Sequence, residues 1–395
     1  MISNQRPTTS LRFAIAFSFI VLLAITNAAS QTNHADRTFS TYLNWPSTTA
    51  SFLMVEPFKD KSAATVTVDC TKGESINEAL TKNLAVRNLT VEITGMCTEN
   101  VVITRDHVTL HGTNPANDGI QADLNEESTD AALWVRGANL VMVENLKLTG
   151  GFTGLLATDV GLTSLQVTNC RLEGNAAYGT QLQNALMQAD DTTFSTNGNI
   201  SAGIFAGSRL QCTNCTLADP QGSGPLGTTR ANAFAFTANR LLLFNSTLIN
   251  GGITSDDSLV LVTDSTISGL PPGGNTIFAF GSSSVSLTRV QVNGGMNFGQ
   301  GANVQLLGVT QTTSLTNVMD DSAYVRIGDA SPAAGGPPSI PSSLKGFVMR
   351  NFTRLSLLQT SHITGSFNCS QGADAFCSMP ANISGISNCG QCVKP

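Results

Sequence analysis

Apolar and polar positions alternate along most of this chain in short runs, and the runs return in a regular step. Val141 to Leu148 (VMVENLKL) shows it best: apolar residues alternate with polar ones up to a single Asn, and a polar and an apolar residue close the step. It returns as Leu165 to Leu172 (LQVTNCRL), Leu210 to Leu217 (LQCTNCTL), Leu241 to Leu248 (LLLFNSTL) and Val260 to Ile267 (VLVTDSTI), with weaker copies around Asp191 and Arg289. The pivot residues are Asn145, Asn169, Asp191, Asn214, Asn245, Asp264 and Arg289, spaced by 24, 22, 23, 31, 19 and 25 residues. A strand pattern repeating at the length of one short coil predicts a solenoid of stacked parallel strands. The expected fold is therefore all-β, a single-stranded parallel β-helix of about ten coils.

The same pattern predicts the ends. Thr65 to Cys70 (TVTVDC) alternates as a first strand. In Glu74 to Leu84 the spacing of Ile76, Ala79, Leu80 and Leu84 is helical, with Ser75 as its cap. A short helix there would cover the open end of the stack, whose unpaired strand edge invites aggregation. Strands are expected at Leu89 to Ile93, Val101 to Ile103 and Val108 to Leu110, then a polar, acidic loop over 113–130. The β-helix should occupy 65–330. Four prolines in 331–341 (SPAAGGPPSIP) mark a linker or exposed loop, and 342–395 should hold a last coil and a Cys-rich cap.

An Asn pivot has a physical reason. Each coil must turn sharply between strands, and Asn tolerates the left-handed conformation. Stacked coils bring equivalent side chains together, so amides can bond to one another as a ladder. The expected ladder runs through Asn145, Asn169, Asp191, Asn214, Asn245 and Asp264, is buried, and ends before Arg289.

Composition adds the setting. Arg6 and Arg12, the apolar Phe13 to Ile25 and the small residues of 26–30 read as a signal peptide over 1–30. Residues 31–64 then form a partly ordered lead-in. A secreted, extracellular protein is expected, without membrane insertion and as a monomer. Without its two signal arginines the chain has 19 basic against 27 acidic residues, a net −8 that disfavours nucleic acid as a partner. Nine cysteines suit an oxidising compartment. Cys70 with Cys97 could close the N-terminal end, Cys369, Cys377, Cys389 and Cys392 the C-terminal one, and one cysteine must be left over. Cys170 and Cys215, equivalent positions two coils apart, would lie about 9.6 Å from each other, too far to bridge. Seven sequons begin at Asn88, Asn199, Asn214, Asn245, Asn351, Asn368 and Asn382. Those at Asn214 and Asn245 fall on the pivot, where burial is expected to block them.

Together, the V-x-N-x-x-L steps, the Asn pivots, the spacing near 23 residues and the helix before the first coil resemble the right-handed parallel β-helix proteins of the pectin-lyase-like superfamily. The resemblance covers about 65–330. It implies a right-handed coil, and it leaves function open, because lyases, hydrolases, epimerases, adhesins and phage tailspikes share that platform.

Candidate chemistry is sparse. A lyase on uronic-acid polymers needs clustered carboxylates for calcium and an Arg or Lys base. A hydrolase needs two carboxylates across the scissile bond. Arg136 with Asp159 one coil on, and the pair Asp190-Asp191, are the catalytic candidates. The pairs Asp256-Asp257 and Asp320-Asp321 read as turn residues. The superfamily's hydrolases carry an Asn-x-Asp before their Asp-Asp pair and Gly-His-Gly and Arg-x-Lys after it, and no such companions stand in order here. His34, His107, His111 and His362 are scattered, so no metal site is expected, and no motif for a cofactor is present. Trp134 and Phe205 are candidate glycan-stacking residues. The expected function is non-enzymatic binding of polysaccharide along one face. The alternative is a lyase, hydrolase or epimerase on uronic-acid polymers.

Overall fold

The structure is a computed structural model that describes residues 63–124, 131–218, 231–269, 274–328, 341–358 and 361–377, with 384, 388 and 389; for 159–162 it describes the backbone alone. The signal peptide and nearly all of the lead-in and linker expected from the sequence lie outside the described residues. The described residues belong to one compact unit, Asp60–Pro395.

Each coil makes three passes, and each pass stacks in parallel on the one before. The pass leading into the pivot forms sheet I, for example Val141–Glu144 and Arg209–Thr213. A three-residue pass after the pivot forms sheet II, as in Lys147–Thr149 and Thr216–Ala218. The third forms sheet III, as in Ala131–Arg136, Ile200–Phe205 and Ala231–Phe236. The stack amounts to about twelve turns. Alternate residues of every strand point into the solenoid, so one buried row in sheet I runs Val91, Leu110, Val143, Val167, Ala189 and Cys212 without a break in register.

The solenoid extends further than the repeat suggested. Gly119–Gln121, inside the expected acidic loop, is a sheet II pass paired with Met96–Thr98 and Lys147–Thr149. Its one apolar residue, Ile120, is buried, too short a signal to read from a polar segment. Beyond the proline-rich stretch, Ser342–Met349, Arg354–Leu357, Ser361–Cys369 and Asp374–Cys377 continue the stack.

The expected helix spans Ile76–Lys82. Ile76 and Leu80 are buried, while Leu84 is 70% exposed. Ser75 caps it by accepting from Glu78 N at 3.2 Å. Glu99, from the next coil, accepts from Ile76 N at 2.6 Å and from Asn77 N at 3.1 Å, placing a carboxylate at the helix's unsatisfied donors. Disulfides join Cys70 to Cys97 and Cys369 to Cys389, and Cys377 is bonded as well. Three described cysteines, Cys170, Cys212 and Cys215, are free and buried, where one was expected. They replace apolar or hydroxyl residues inside the stack, and a thiol packs there as a small hydrophobe.

The pivots adopt the left-handed conformation, with φ of 56° at Asn145, 50° at Asn169, 57° at Asn214 and 49° at Asn245. The ladder forms but is not buried: Asn145 is half-buried, and Asn169, Asp191, Asn214, Asn245, Asp264 and Arg289 are exposed. The residue after each pivot turns inward instead. Consequently burial does not block the sequons at Asn214 and Asn245. Each Asn pivot after the first donates to the pivot before it: Asn169 Nδ2 to Asn145 Oδ1 at 2.7 Å, Asn214 Nδ2 to Asp191 Oδ1 at 3.1 Å, and Asn245 Nδ2 to Asn214 Oδ1 at 2.6 Å. A carboxylate has no proton to pass on, so each Asp starts a new segment. Arg289 does not end the series. Its guanidinium donates through Nη2 to Asp264 Oδ2 at 2.6 Å, a charge-assisted form of the same rung. This pair holds the Asp264 carboxyl below its ordinary pKa and Arg289 above its own.

A second, hidden ladder lies just inside the first. Thr192 Oγ1 accepts from Cys170 N at 3.4 Å, Ser246 Oγ from Cys215 N at 3.2 Å, and Ser265 Oγ from Ser246 N at 3.0 Å. Small hydroxyls there satisfy backbone N–H groups that the sharp turn leaves without a strand partner.

Candidate functional site

Strand parity selects the surface of interest. In sheet III, Leu133, Val135, Leu182, Ile204, Ala235, Ile277 and Ala279 face the core. The intervening positions therefore face outward and stack in two rows. One row runs Trp134, Leu156, Gln181, Gly203, Phe234, Thr254, Phe278 and Asn297. The other runs Arg136, Thr158, Gln183, Phe205, Phe236, Asp256 and Phe280.

Rings of these rows and of Phe152 and Tyr178 beside them touch in a continuous series. Ring centroids are 6.0 Å apart for Phe152 and Tyr178, 6.2 Å for Tyr178 and Phe205, 5.8 Å for Phe205 and Phe234, and 5.9 Å for Phe234 and Phe236. The first two contacts are edge-to-face and the last is stacked, geometries that ring quadrupoles favour. Gly203 is required where the rings converge. A Cβ there would lie 2.8 Å from Phe205 Cε2 and 3.1 Å from Tyr178 Cδ1. Most of these rings are half-buried, with their neighbours on one side and solvent on the other. At the N-terminal end of the face Trp134 Nε1 donates to Thr158 Oγ1 at 2.8 Å, and the Arg136 guanidinium lies 5.2 Å from the Trp134 ring centroid.

Asp256 interrupts the aromatic row between Phe236 and Phe280. Among the described residues none donates a hydrogen bond to its carboxyl. Burial without a donor, reinforced by the neighbouring Asp257 charge, pushes its pKa up from 3.8 to about 6. Oδ1 of Asp256 and Oδ1 of Asp257 both crowd the position that a Cβ on Gly281 would take, one coil on. The two oxygens thus lie within about 5 Å of each other, the range in which one carboxylate raises the pKa of another. Asp257 is exposed at a left-handed turn, φ 47°, and accepts from Ser282 N at 2.6 Å.

Trp134, Arg136 and Phe205, singled out from sequence, share this face. Asp190 does not: it sits on the outer side of sheet I, where Gln188 Nε2 donates to it at 2.8 Å. Its neighbour Asp191 is a pivot, so the two carboxylates of that pair serve different surfaces. The side chain of Asp159 lies outside the described residues. From sequence, Asp256-Asp257 reads as a turn between strands. In fact Ile253–Asp256 is itself a strand, shortened to four residues, and Asp256 is its last outward position. The signal available was parity: a coil must intervene between Phe236 and Phe278, and its outward positions are Thr254 and Asp256.

Two other groupings carry less chemistry. On sheet I, His111 lies between Glu92 and Glu144 of adjacent coils, with Nδ1 at 3.1 Å from Glu144 Oε2 and Nε2 at 3.9 Å from Glu92 Oε2. Among the described residues no cluster of three or more His, Cys, Asp or Glu could hold a metal ion. A cavity of about 400 Å³ near the C-terminal end, lined by Lys345, Thr364 and Asn368 among others, contains no carboxylate, and Lys345 Nζ donates to Thr364 Oγ1 at 3.2 Å. No described helix is long and apolar enough to cross a membrane.

No family model and no curated protein matches the chain. Among solved structures, the catalytic domain of a GH87 alpha-1,3-glucanase in complex with tetrasaccharides matches at 12% identity and a TM-score of 0.30, covering 84% of this chain and 70% of that one. Similarity at that level carries no functional argument, and the solenoid assignment rests on this chain's own strand register.

Proposed function

We propose that this is a secreted polysaccharide-binding protein whose binding surface is the outer face of sheet III. One observation carries the reading: the series of touching aromatic rings from Phe152 through Phe236, on and beside the outward rows of sheet III. Aromatic faces stack on the C–H faces of sugar rings and lose little side-chain entropy in doing so. Gln181, Gln183 and Asn297 stand among the rings, half-buried, with donors and acceptors for hydroxyl groups. The disulfides support an oxidising, extracellular setting. Titration of the purified protein with a polysaccharide panel tests it. Phe205→Ala should weaken binding about tenfold without loss of the fold, and unchanged affinity in this variant would sink the proposal.

Asp256 favours a second reading, hydrolysis. A carboxyl with its pKa raised to about 6 beside a second carboxyl has the make-up of a general acid with its companion. New reducing ends that vanish in Asp256→Asn would establish this reading. Unsaturated uronate ends that vanish in Arg136→Ala would instead establish the lyase alternative.

A further inference from the structure

The charge distribution around the aromatic face restricts what can lie on it. Along both outward rows, from Trp134 to Asn297, the described residues include one cation, Arg136, and one ionisable carboxyl, Asp256, with Asp257 beside it. Arg136 sits at the N-terminal end and is turned onto Trp134. The carboxyls sit at the other end, between Phe236 and Phe280. The positions between them are aromatic, aliphatic, Gly, Thr or Gln. The chain as a whole carries a net charge of −6.

A polyuronate has one carboxylate per residue. Held along this face it would meet a single guanidinium at one end and place a carboxylate near Asp256 and Asp257 at the other. A bound carboxylate that loses water needs a cation or several N–H donors, and the centre of the face has no cation among the described residues. An uncharged sugar has no such requirement. Its apolar faces match the rings, its hydroxyls can bond to Gln181 and Gln183, and they can donate to the Asp256 carboxylate, which has no other described donor.

We infer that the ligand of this face is an uncharged polysaccharide, and that Asp256 is a specificity-determining residue that excludes polyuronates. This rests on the glycan-binding reading above. It narrows the expected polysaccharide to an uncharged one and departs from the uronic-acid polymers of the enzymatic alternative.

The test compares neutral probes (soluble glucan, xylan and galactomannan) with polygalacturonate and alginate, using wild type and Asp256→Asn at pH about 8 and low salt. Wild type should bind at least one neutral polymer and discriminate against both polyuronates. Asp256→Asn should narrow that discrimination about fivefold, the factor for one like charge at 4 Å in bulk water. Added salt should leave neutral binding unchanged, because no ion pair is involved. Tighter binding of a polyuronate by wild type, in a manner lost in Phe205→Ala, would overturn the inference while leaving the glycan-binding surface intact. An unchanged ratio in Asp256→Asn would remove Asp256 from the role. Failure to bind any of the five polymers would overturn both readings.

Discussion

Replacing Asp256 by Asn should stabilise the protein above pH 6 and leave it unchanged near pH 4. The Asp256 carboxyl is half-buried between Phe236 and Phe280, with no described donor and with Asp257 beside it, so its pKa rises from 3.8 to about 6. Because the folded pKa lies above the unfolded one, the neutral acid is favoured by folding. Stability is therefore fully present below the unfolded pKa and is lost as pH rises through about 6. A shift of two units corresponds to about 3 kcal/mol. Half of the group remains in contact with solvent, which screens it, so a penalty of about 1.5 kcal/mol is expected. Asn has the same shape and no charge. Thermal melts followed by circular dichroism should show a gain of about 3 °C for Asp256→Asn at pH about 8 and none at pH about 4. An equal gain at both pH values would mean that shape, not charge, governs the site. A loss at pH about 8 would mean that the carboxylate has a stabilising partner, and would refute the charge penalty.

Three further outcomes test the architecture. Asn214→Ala loses its rungs to Asp191 and Asn245 and must hold φ 57° without an amide, so urea unfolding should show a loss of about 2 kcal/mol; Asn214→Gly should lose less, because glycine accepts that angle, and the reverse order would refute the turn argument. Phe194→Ala empties a fully buried position and should lower stability by about 3–5 kcal/mol in the same assay; a loss below 1 kcal/mol would contradict the packing. Cys170, Cys212 and Cys215 are buried, and burial drives the Cys170 thiol up to about 12 and Cys212 well above its ordinary value. Iodoacetamide at pH about 8 should leave all three unlabelled until denaturant is added, whereas rapid labelling of the folded chain would show the stack to be open.

Much of the fold was legible because a solenoid repeats its local physics. Val141, Val143 and Leu148 must be buried in every copy of the step, and Asn145 must turn in every copy, so one coil's pattern is evidence for the next. The passes that escaped notice are those whose pattern is too short or too polar. Gly119–Gln121 buries one apolar side chain in a segment of polar residues, and Ile253–Asp256 buries Ser255 where the coils in register with it bury Val135, Ala157, Leu182, Ile204, Ala235 and Ala279. Most of the pivots are exposed, against the expectation from sequence, for a related reason. Stacking and burial usually go together, but a residue at a left-handed corner points along the outside, and the residue after it fills the interior.

The candidate site was half legible. Trp134 and Phe205 announced themselves by type and parity. Their meaning did not, because an aromatic at an outward position of one strand is a single ring in the sequence and part of a surface only when register is known. The series Phe152, Tyr178, Phe205, Phe234 and Phe236 spans residues 84 positions apart along the chain and becomes continuous because parallel stacking sets successive coils about 4.8 Å apart.

The sequence alone therefore determined the coil, its turn residue, the capping helix and the sparseness of charge, since these follow from local periodicity and composition. Only the tertiary structure decided which carboxyl matters. Asp190-Asp191 and Asp256-Asp257 are the same dipeptide. One is split between the outer side of sheet I and a pivot. The other places Asp256 within an outward row of sheet III, between Phe236 and Phe280, and that loss of water, which no local pattern records, makes Asp256 chemically distinct.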